Sequence, residues 1–313
     1  MPKVTIATNP DLDSAIGPRD HLSRWATLLE MQILRSGSEC TPFQGGILVP
    51  TMGALHAGHA SLIRRAATLG GPVVVTVFVN PTQFGPGEDF DRYPRTLDAD
   101  LALADASGAH AVFAPAPEEI YPRGLDTART EAAALALPDV ARTPGLEDAC
   151  RPGHFGGVCQ VVARLFELTR PRAACFGEKD FQQLRLIEEL AANPAIAPGC
   201  PSGIEIVRGA TVREQDGLAM SSRNRYLTPD QRDQALGLYR ALQSCMAAQR
   251  IATAELLMRG ALEEHGLDVE YATVRRASDL MPASDFHEPT RALIAARLGT
   301  VRLIDNMACP VWR

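Results

Sequence analysis

Cysteine is scarce in this 313-residue sequence, and no two cysteines form a C-x-x-C pair. The seven thiols are scattered singly along the chain, at Cys40, Cys150, Cys159, Cys175, Cys200, Cys245 and Cys309. An odd, dispersed set argues against a disulfide framework or a zinc site and favours reduced thiols in the cytoplasm. No local signature of a catalytic nucleophile accompanies any of them.

Long apolar runs are also missing. No uninterrupted stretch approaches the roughly 18 residues that a membrane-spanning helix needs. Residues 1–15 contain no apolar segment followed by a small-residue cleavage site. We therefore expect neither a membrane segment nor a secretory leader.

Positive charge is not in excess. The chain has 31 Lys and Arg against 37 Asp and Glu, a formal charge of −6. This balance argues against a general nucleic-acid binder, but it allows a local basic pocket for a small anion. The composition is otherwise that of a globular protein, with 46% hydrophobic residues and enough length for one large or two ordinary domains.

Hydrophobic patterning predicts alternating strands and helices over the first two thirds of the chain. The predicted strands are residues 46–50, 73–79, 111–114, 173–176 and 204–207, and the predicted helices are residues 57–67, 96–107, 157–169 and 181–192. Such alternation is typical of an α/β protein with a doubly wound parallel sheet. Ligands of such sheets bind beyond the carboxyl ends of the strands.

The pattern changes after about residue 210. Helices are predicted at residues 230–248 and 254–265, followed by antiparallel strands at residues 269–274, 293–296 and 301–304. We therefore predict two domains. Residues 1–210 form the parallel-sheet domain, and residues 211–313 form a smaller α+β domain that closes over the site.

Two histidines mark the first strand-to-helix turn. His56 and His59 accompany Gly53 and Gly58 after the strand at residues 46–50. A helix N-terminus attracts phosphate, and imidazoles there can donate hydrogen bonds to phosphate oxygens. The alternative is that one histidine caps the helix and the other is exposed. A zinc site is a weaker interpretation because no third ligand is evident.

Other polar residues follow the later strands. Lys179 suits a triphosphate as a flexible point charge, although such a turn alone is usually just solvated. Residues 220–223 could form either a second phosphate clamp or an ordinary turn. Gln83 favours recognition of a hydroxyl-bearing acid, and the charged residues 89–95 are interpreted as a structural network.

Six segments in one order resemble the pantoate–β-alanine ligase family, within the nucleotidyl-transferase superfamily that includes class I aminoacyl-tRNA synthetases. They are PTMGALHAGH (50–59), FVNPTQFGPGEDFDRYPRT (78–96), RPGHFGGV (151–158), FGEKDFQQL (176–184), TVREQDGLAMSSRNRYL (211–227) and ARLGTVRLIDN (296–306). The resemblance covers nearly the whole chain. It implies a Rossmann-like amino-terminal domain, a homodimer, and Mg²⁺ used together with ATP.

The resemblance also implies an AMP-forming ligase. In this reaction the carboxylate of pantoate attacks the α-phosphorus of ATP, which releases pyrophosphate and leaves an enzyme-bound pantoyl adenylate. The amine of β-alanine then displaces AMP to give pantothenate. An activated acyl group must be protected from water, so we expect a mobile lid around residues 216–223.

Site residues follow from the same resemblance. It implies that His56, His59 and Lys179 are catalytic, with His59 as proton donor, and that Gln83 and Gln183 hold pantoate. The implied ATP-binding residues are Met52, Gly53, Ala54, Leu55, His56, Ala57, Gly58, His59, Gly177, Glu178, Lys179, Asp180, Val212, Met220, Ser221, Ser222 and Arg223. Metal ligands stay unassigned, because Asp98 and Asp100 are more typical of a helix than of a magnesium site.

Three places depart from the family pattern. Ala57 stands where the family often has Glu, and we expect little consequence because the histidines and glycines are intact. Gly156 replaces a frequent arginine, which predicts the loss of an anion contact, and Gly209-Ala210 predicts a looser hinge than the usual Val-Pro.

Three rival functions remain. The first is another nucleotidyl transferase on the same fold, the second a silent nucleotide-binding protein, and the third an RNA-ligating synthetase, which would need a basic domain. A hydroxy-acid pocket requires Gln83 and Gln183 to face one small cavity, so their placement discriminates the first rival.

Overall fold

Six parallel strands form the larger sheet of the protein. The computed structural model describes residues 30–312, so the leader prediction for residues 1–15 lies outside the described residues. The strands are β1 (Gln32–Leu34), β2 (Ile47–Val49), β3 (Val73–Thr76), β4 (Ala111–Phe113), β5 (Ala173–Gly177) and β6 (Glu205–Gly209). β2, β3 and β4 are buried at every residue, as expected for parallel strands covered on both faces.

Helices connect these strands and cover the sheet. They are α1 (Ala57–Ala67), α2 (Leu97–Ala106), α3 (Pro117–Ile120), α4 (Leu125–Ala133), α5 (Glu147–Cys150), α6 (His154–Thr169) and α7 (Phe181–Ala192). α1 shows how the sequence specifies them: Ala60, Ile63 and Ala66 are buried, whereas Arg64 and Arg65 in its last turn are exposed. This apolar face packs on the sheet, and the two arginines also suit the negative end of the helix dipole.

A three-stranded antiparallel sheet follows. Its strands are β7 (Asp268–Arg276), β8 (Thr290–Leu298) and β9 (Val301–Ala308), in the order β7-β8-β9. Helices α8 (Pro229–Cys245) and α9 (Ile251–Glu264) share a hydrophobic core with it, separate from the core around the larger sheet. Thr228 starts α8 with a reciprocal capping box to Gln231, because both side chains satisfy free backbone N–H groups.

The predicted fold class is confirmed, and most errors concern element ends. β3 ends at Thr76 rather than at residue 79, because the N–H of Phe78 leaves the strand ladder and donates to the carbonyl of Thr51. α6 begins at His154, three residues before the prediction. Nothing was predicted for β1 or for residues 117–150, where the elements are too short to show a period. No helix within residues 30–312 has the length and apolarity to cross a bilayer.

Strand order places two distant segments together. The larger sheet has the order β1-β4-β3-β2-β5-β6, so β2 pairs with β3 on one side and with β5 on the other. The chain progresses from β2 towards β4 and later from β5 towards β6, which makes the β2/β5 junction a topological switch point. The segments that leave β2 and β5, residues 50–59 and 177–183, therefore begin side by side.

Three glycines allow close packing around this junction. A Cβ atom on Gly157 would overlap the carbonyl group of Thr82, and one on Gly156 would lie 2.5 Å from the carbonyl oxygen of Ala132 in α4. Position 156 thus faces α4 and not a ligand cleft, so the predicted loss of an anion contact there is wrong. A Cβ on Gly209 would overlap the end of the Leu62 side chain, so glycine allows close packing here, and the looser hinge stays a prediction.

We predict that Gly157→Ala lowers the free energy of unfolding by about 1–3 kcal/mol, because the added methyl group meets backbone rather than a flexible side chain. Urea unfolding followed by circular dichroism measures the change. Gly260→Ala in α9 is the matched control: its Cβ would have no neighbour within 4 Å, and alanine stabilises a helix interior by about 1 kcal/mol. Equal effects of the two substitutions would contradict the close contact at Thr82.

Candidate active site

A cavity of about 250 Å³ opens at the switch point and continues into a second cavity of about 600 Å³. Both are lined by Lys179, Asp180, Ser221 and Arg223, so the predicted phosphate-binding segments meet in one cleft. Residues of β9 complete the wall. Five of the predicted ATP-binding residues line neither cavity: Gly53, Ala54, Leu55, Ala57 and Glu178.

The loop that leaves β2 is held from behind by a buried carboxylate. Asp100 of α2 is 1% exposed and accepts hydrogen bonds from the backbone N–H groups of Ala54 (3.1 Å) and Leu55 (2.7 Å). Gly53 and Ala54 have φ angles of +80° and +50°, which turn the chain sharply at this point. Asp100 is therefore a helix residue with a structural partner, and these backbone contacts, rather than a metal ion, use its carboxylate.

His56 and His59 lie at the N-terminus of α1, with ring centroids 4.1 Å apart. The Nδ1 atom of His56 accepts from the N–H of Gly58 at 3.1 Å, and the Nδ1 atom of His59 accepts from the N–H of His56 at 3.2 Å. Because both Nδ1 atoms are acceptors, each neutral ring carries its proton on Nε2. Both histidines line the cavity. Both histidines therefore cap the helix through Nδ1. Both Nε2–H groups stay available to a ligand.

Burial keeps both rings uncharged. It lowers the pKa of His56 to about 4, with a further contribution from the positive charge of Lys179. Burial, together with His56, lowers the pKa of His59 to about 3. At neutral pH both side chains are hydrogen-bond donors without charge, so His59 is not an imidazolium acid in the resting protein.

Lys179 lies in the short turn that follows β5. Its Nζ atom is 3.5 Å from Oδ1 of Asp180, and its side chain is 21% exposed. Burial opposes ionisation of Asp180, but Lys179 and Arg223 hold the pKa of this carboxyl below its usual value. Lys179 and the Asp180 carboxylate thus line the same cavity as the two neutral imidazoles.

The segment Met220–Arg223 directly contacts the loop that carries the two histidines, residues 50–59 (the histidine loop). Ser222 is 7% exposed, and its hydroxyl donates to the carbonyl of Ala54 at 3.0 Å. Arg223 makes a bidentate ion pair with Asp89, at 2.8 and 2.9 Å. Arg223, a member of the predicted phosphate clamp, therefore already binds a carboxylate of the same chain, that of Asp89. The charged segment 89–95 is a structural network, as predicted, but one that reaches the site.

Gln83 and Gln183 line the same cavity, as a hydroxy-acid pocket requires. Gln83 is 8% exposed, and its Oε1 atom accepts from Asn80 at 3.0 Å. The Asn80 side chain accepts from the hydroxyl of Tyr121 at 2.5 Å. The carbonyl of Gln83 accepts from Nδ1–H of His154 at 2.9 Å. The glutamine is thereby oriented on both its side chain and its backbone.

Several of these residues were missed by the sequence reasoning. Asn80 lies in the family-like segment 78–96 and His154 in the segment 151–158, so these segments could have indicated both residues. Asp100 was interpreted as a helix residue without a structural role, and Tyr121 has no local signal at all. Arg151, which pairs with Glu88 at 2.7 Å and contacts His154, also lines both cavities.

A six-stranded parallel sheet with phosphate-suited donors at its switch point defines an α/β protein of the nucleotide-binding class. The sequence model of the Pantoate-beta-alanine ligase family matches residues 30–308. The chain belongs to the pantoate–β-alanine ligase family, and its activity is the ligation of pantoate with β-alanine.

Relatives of known name support this assignment along most of the chain. The pantothenate synthetase of a Nocardioides species is 49% identical over 279 residues, which cover 83% of this chain and 77% of the relative. That of Rubrobacter xylanophilus is 48% identical and covers 84% of this chain and 90% of the relative. The crystal structure of the Thermus thermophilus pantothenate synthetase has a TM-score of 0.80 at 40% identity and covers 88% of this chain and 99% of that one.

Another solved structure carries ligands. The pantoate-β-alanine ligase of Francisella tularensis, complexed with beta-gamma ATP and β-alanine, has a TM-score of 0.71 at 31% identity. The match covers 89% of this chain and 97% of that one.

We predict that the protein loses stability as the pH falls from 6.5 towards 4. Burial lowers the pKa of His154 to about 4, with help from Arg151, and His56 and His59 are shifted in the same direction. Between pH 4 and 6.5 the unfolded chain therefore binds more protons than the folded one, so acid favours unfolding.

Urea unfolding at half-unit pH steps measures this slope. His154→Asn keeps a donor for the Gln83 carbonyl and cannot titrate, so its slope should be flatter by up to about 1.4 kcal/mol per pH unit. An unchanged slope in this variant would show that His154 is not buried in its neutral form.

Proposed function

We propose that the ligation runs through an enzyme-bound pantoyl adenylate formed from ATP, with release of pyrophosphate and then of AMP. The observation that carries this proposal is the pair of neutral Nε2–H donors beside Lys179, at the N-terminus of a helix that begins at the switch point. Charge moves onto the leaving pyrophosphate in the first step, and preorganised donors stabilise such charge. No nucleophilic serine or cysteine is needed.

His56 and His59 act in this proposal by hydrogen bonding and not by proton transfer. Their lowered pKa values and their occupied Nδ1 atoms support this role. Lys179 supplies the positive charge. The backbone around Gly58 and Gly177 and the residues Val212 and Met220–Arg223 complete the nucleotide subsite. Arg223 uses Nε and Nη2 in its pair with Asp89, and its Nη1 group would donate to phosphate.

Pantoate is held by Gln83 and Gln183 in the smaller cavity. The support is geometric: both amides line one space together with apolar side chains such as Phe155 and Val158, which suit the methyl groups of pantoate. Asn80 fixes the orientation of the Gln83 amide, because its Nδ2 group donates a hydrogen bond to Oε1 of Gln83. Among residues 30–312, the Nε2 atom of Gln83 then has only the thioether of Met52 as a partner, at 3.1 Å, and a substrate hydroxyl is a stronger acceptor.

Magnesium fits this cleft as a companion of the nucleotide. No group of three His, Cys, Asp or Glu in residues 30–312 is arranged to hold a metal ion. Mg²⁺ bound to a nucleotide needs only one or two carboxylates besides phosphate and water. Glu88, Asp89, Glu147 and Asp305 each pair with an arginine, whereas the ion pair of Asp180 within the described part of the chain is with Lys179, at 3.5 Å. Asp180 would hold the ion, which would neutralise charge on the phosphate oxygens.

The proposal extends to domains, assembly and location. Of the domains expected at residues 1–210 and 211–313, residues 30–210 would bind ATP and pantoate and residues 211–312 would close over the site. The division follows the two sheets, and Leu280 and Leu293 of the second part pack into the core around the larger sheet. The family resemblance supports a homodimer. The seven free cysteines support a reducing compartment, the cytoplasm.

A second segment, besides the lid expected around residues 216–223, faces the outer cavity. Residues 216–223 are anchored, because Asp216 pairs with Arg232 at 2.8 Å and Gly217 packs against Tyr239. Residues 85–92 line the outer cavity and are held by Glu88 and Asp89, whose ion pairs an anionic substrate can exchange. We propose that this segment is the cover.

The rival functions lose support. A transferase that does not ligate an amine has no reason to place Gln83 and Gln183 in one apolar cavity, and a silent binder has no need of two tautomer-fixed histidines. Family membership at almost 50% identity also separates the chain from RNA-ligating synthetases.

We expect pyrophosphate release from ATP to require both Mg²⁺ and D-pantoate, with AMP and pantothenate appearing only after β-alanine is added. A coupled pyrophosphate assay and chromatography of the nucleotides measure the two steps. Pyrophosphate release without pantoate, or none with it, would contradict the adenylate mechanism.

We expect His59→Ala to lower turnover by on the order of 10²–10³-fold, the range for the loss of one transition-state donor. His59→Gln, which retains an N–H donor at the end of the side chain, should lose less. The exposed His287, which lines neither cavity of the cleft, provides the control His287→Ala and should leave turnover unchanged. Near-normal turnover of His59→Ala would mean that this residue only caps the helix.

A further inference from the structure

The turn that carries Lys179 is held by a side chain of the smaller sheet. Asn306 of β9 is 3% exposed, and its Nδ2 atom donates to the carbonyl of Glu178 at 3.0 Å and to that of Lys179 at 2.7 Å. Both amide hydrogens of Asn306 are thereby used on consecutive carbonyls of one turn. This contact joins the backbone beneath the lysine to a strand far away in the sequence.

The amide of Asn306 has one possible orientation. Its Oδ1 atom accepts from Nη1 of Arg291, and Nη2 of the same guanidinium contacts the carboxylate of Glu178 at 3.1 Å. Arg291 is 7% exposed and stacks on Phe181, with its Cζ atom 3.9 Å from the ring centroid. Because arginine can only donate, it fixes Oδ1 towards itself and Nδ2 towards the turn.

The neighbouring residue holds the other phosphate-binding segment. Asp305 is 3% exposed and makes a bidentate pair with Arg213, at 2.7 and 3.0 Å. Arg213 bridges to Ala219, immediately before Met220–Arg223. Asp305 and Asn306 of β9 therefore support both segments that approach the nucleotide. Asn306 contacts the turn at residues 178–179, and Asp305 acts through Arg213 on the start of residues 219–223.

We propose that Asn306 is a positioning residue, which places Lys179 against the phosphates of ATP by holding the two carbonyls of its turn. Lysine has a flexible four-carbon stem, so the location of its charge depends on where the backbone starts. A displacement of about 1 Å at a reacting centre can cost on the order of 10²-fold in rate. The inference rests on the role of Lys179 in the proposed function.

A purely structural role is the alternative, since Asn306 also joins the two sheets. A double-mutant cycle separates the two, because residues that act through one another give non-additive effects. The variants are Asn306→Ala, Lys179→Ala and the double variant. The measurements are kcat and KM for ATP in pantoate-dependent pyrophosphate release, together with the melting temperature of each variant.

We expect Asn306→Ala to lower kcat by on the order of 10-fold to 10²-fold. In the Lys179→Ala background the same substitution should change kcat by less than about 2-fold, since the group it positions is already gone. Asn306→Asp keeps the acceptor for Arg291 and loses the donors to the turn, so it should match Asn306→Ala in the cycle. It also provides the test if the alanine variant does not fold.

Thr273→Val is the matched control. Thr273 is 8% exposed in the same sheet, and its hydroxyl donates to Glu255 at 2.6 Å, away from both phosphate-binding segments. It should lower the melting temperature without a comparable loss of kcat. An equal loss of kcat in this variant would overturn the inference, because general loosening of the sheet would then explain the effect of Asn306.

Additive losses in Asn306→Ala and Lys179→Ala would overturn the inference and leave the proposed function standing. Wild-type turnover by Lys179→Ala would overturn the role of the lysine and, with it, this inference. Absence of pantoate-dependent pyrophosphate release by the wild-type protein would contradict the proposed function itself.

Discussion

The hydrogen-bonded pairing of β2 with β5 is the contact on which the site depends. Ile47 and Leu48 lie beside Ala173 and Ala174 in parallel register, although more than 120 residues separate them in the chain. Since the two strands run in the same direction, their carboxyl ends open at one edge of the sheet. The histidine loop leaves from one end and the Lys179 turn from the other. A slip of register would separate the imidazoles from the ammonium without disturbing either local structure.

Around this junction, buried polar side chains orient the groups that face the cleft. Asp100 holds the histidine loop, Asn80 holds Gln83, and Asn306 holds the Lys179 turn, each through backbone or amide contacts of a buried side chain. Such contacts are costly to leave unmade, so each specifies one arrangement of the group it holds. The smaller sheet therefore contributes to the geometry of the cleft as well as covering it.

The parallel sheet was predictable because its strands are short apolar runs between amphipathic helices, and the histidine site because it follows one of them. The order of the strands was not. Nothing near His56 indicates that Lys179 will be its neighbour, so that prediction came from the family resemblance. Contacts between distant side chains were equally hidden: the pairing of Asp89 with Arg223 and the hydrogen bond of Tyr121 to Asn80 have no local pattern. Helix ends at glycine-rich positions, such as the start of α6, were misplaced because glycine weakens the periodic signal.

The neutral histidines and the ion pairs of Lys179, Arg151 and Arg223 together produce a cleft with little surplus charge. A triphosphate entering it meets oriented N–H dipoles together with cations that each already contact a carboxylate of the same chain. Such a surface favours weaker retention of a departing polyanion than bare cations would. In the proposed reaction, this charge balance would assist the departure of pyrophosphate.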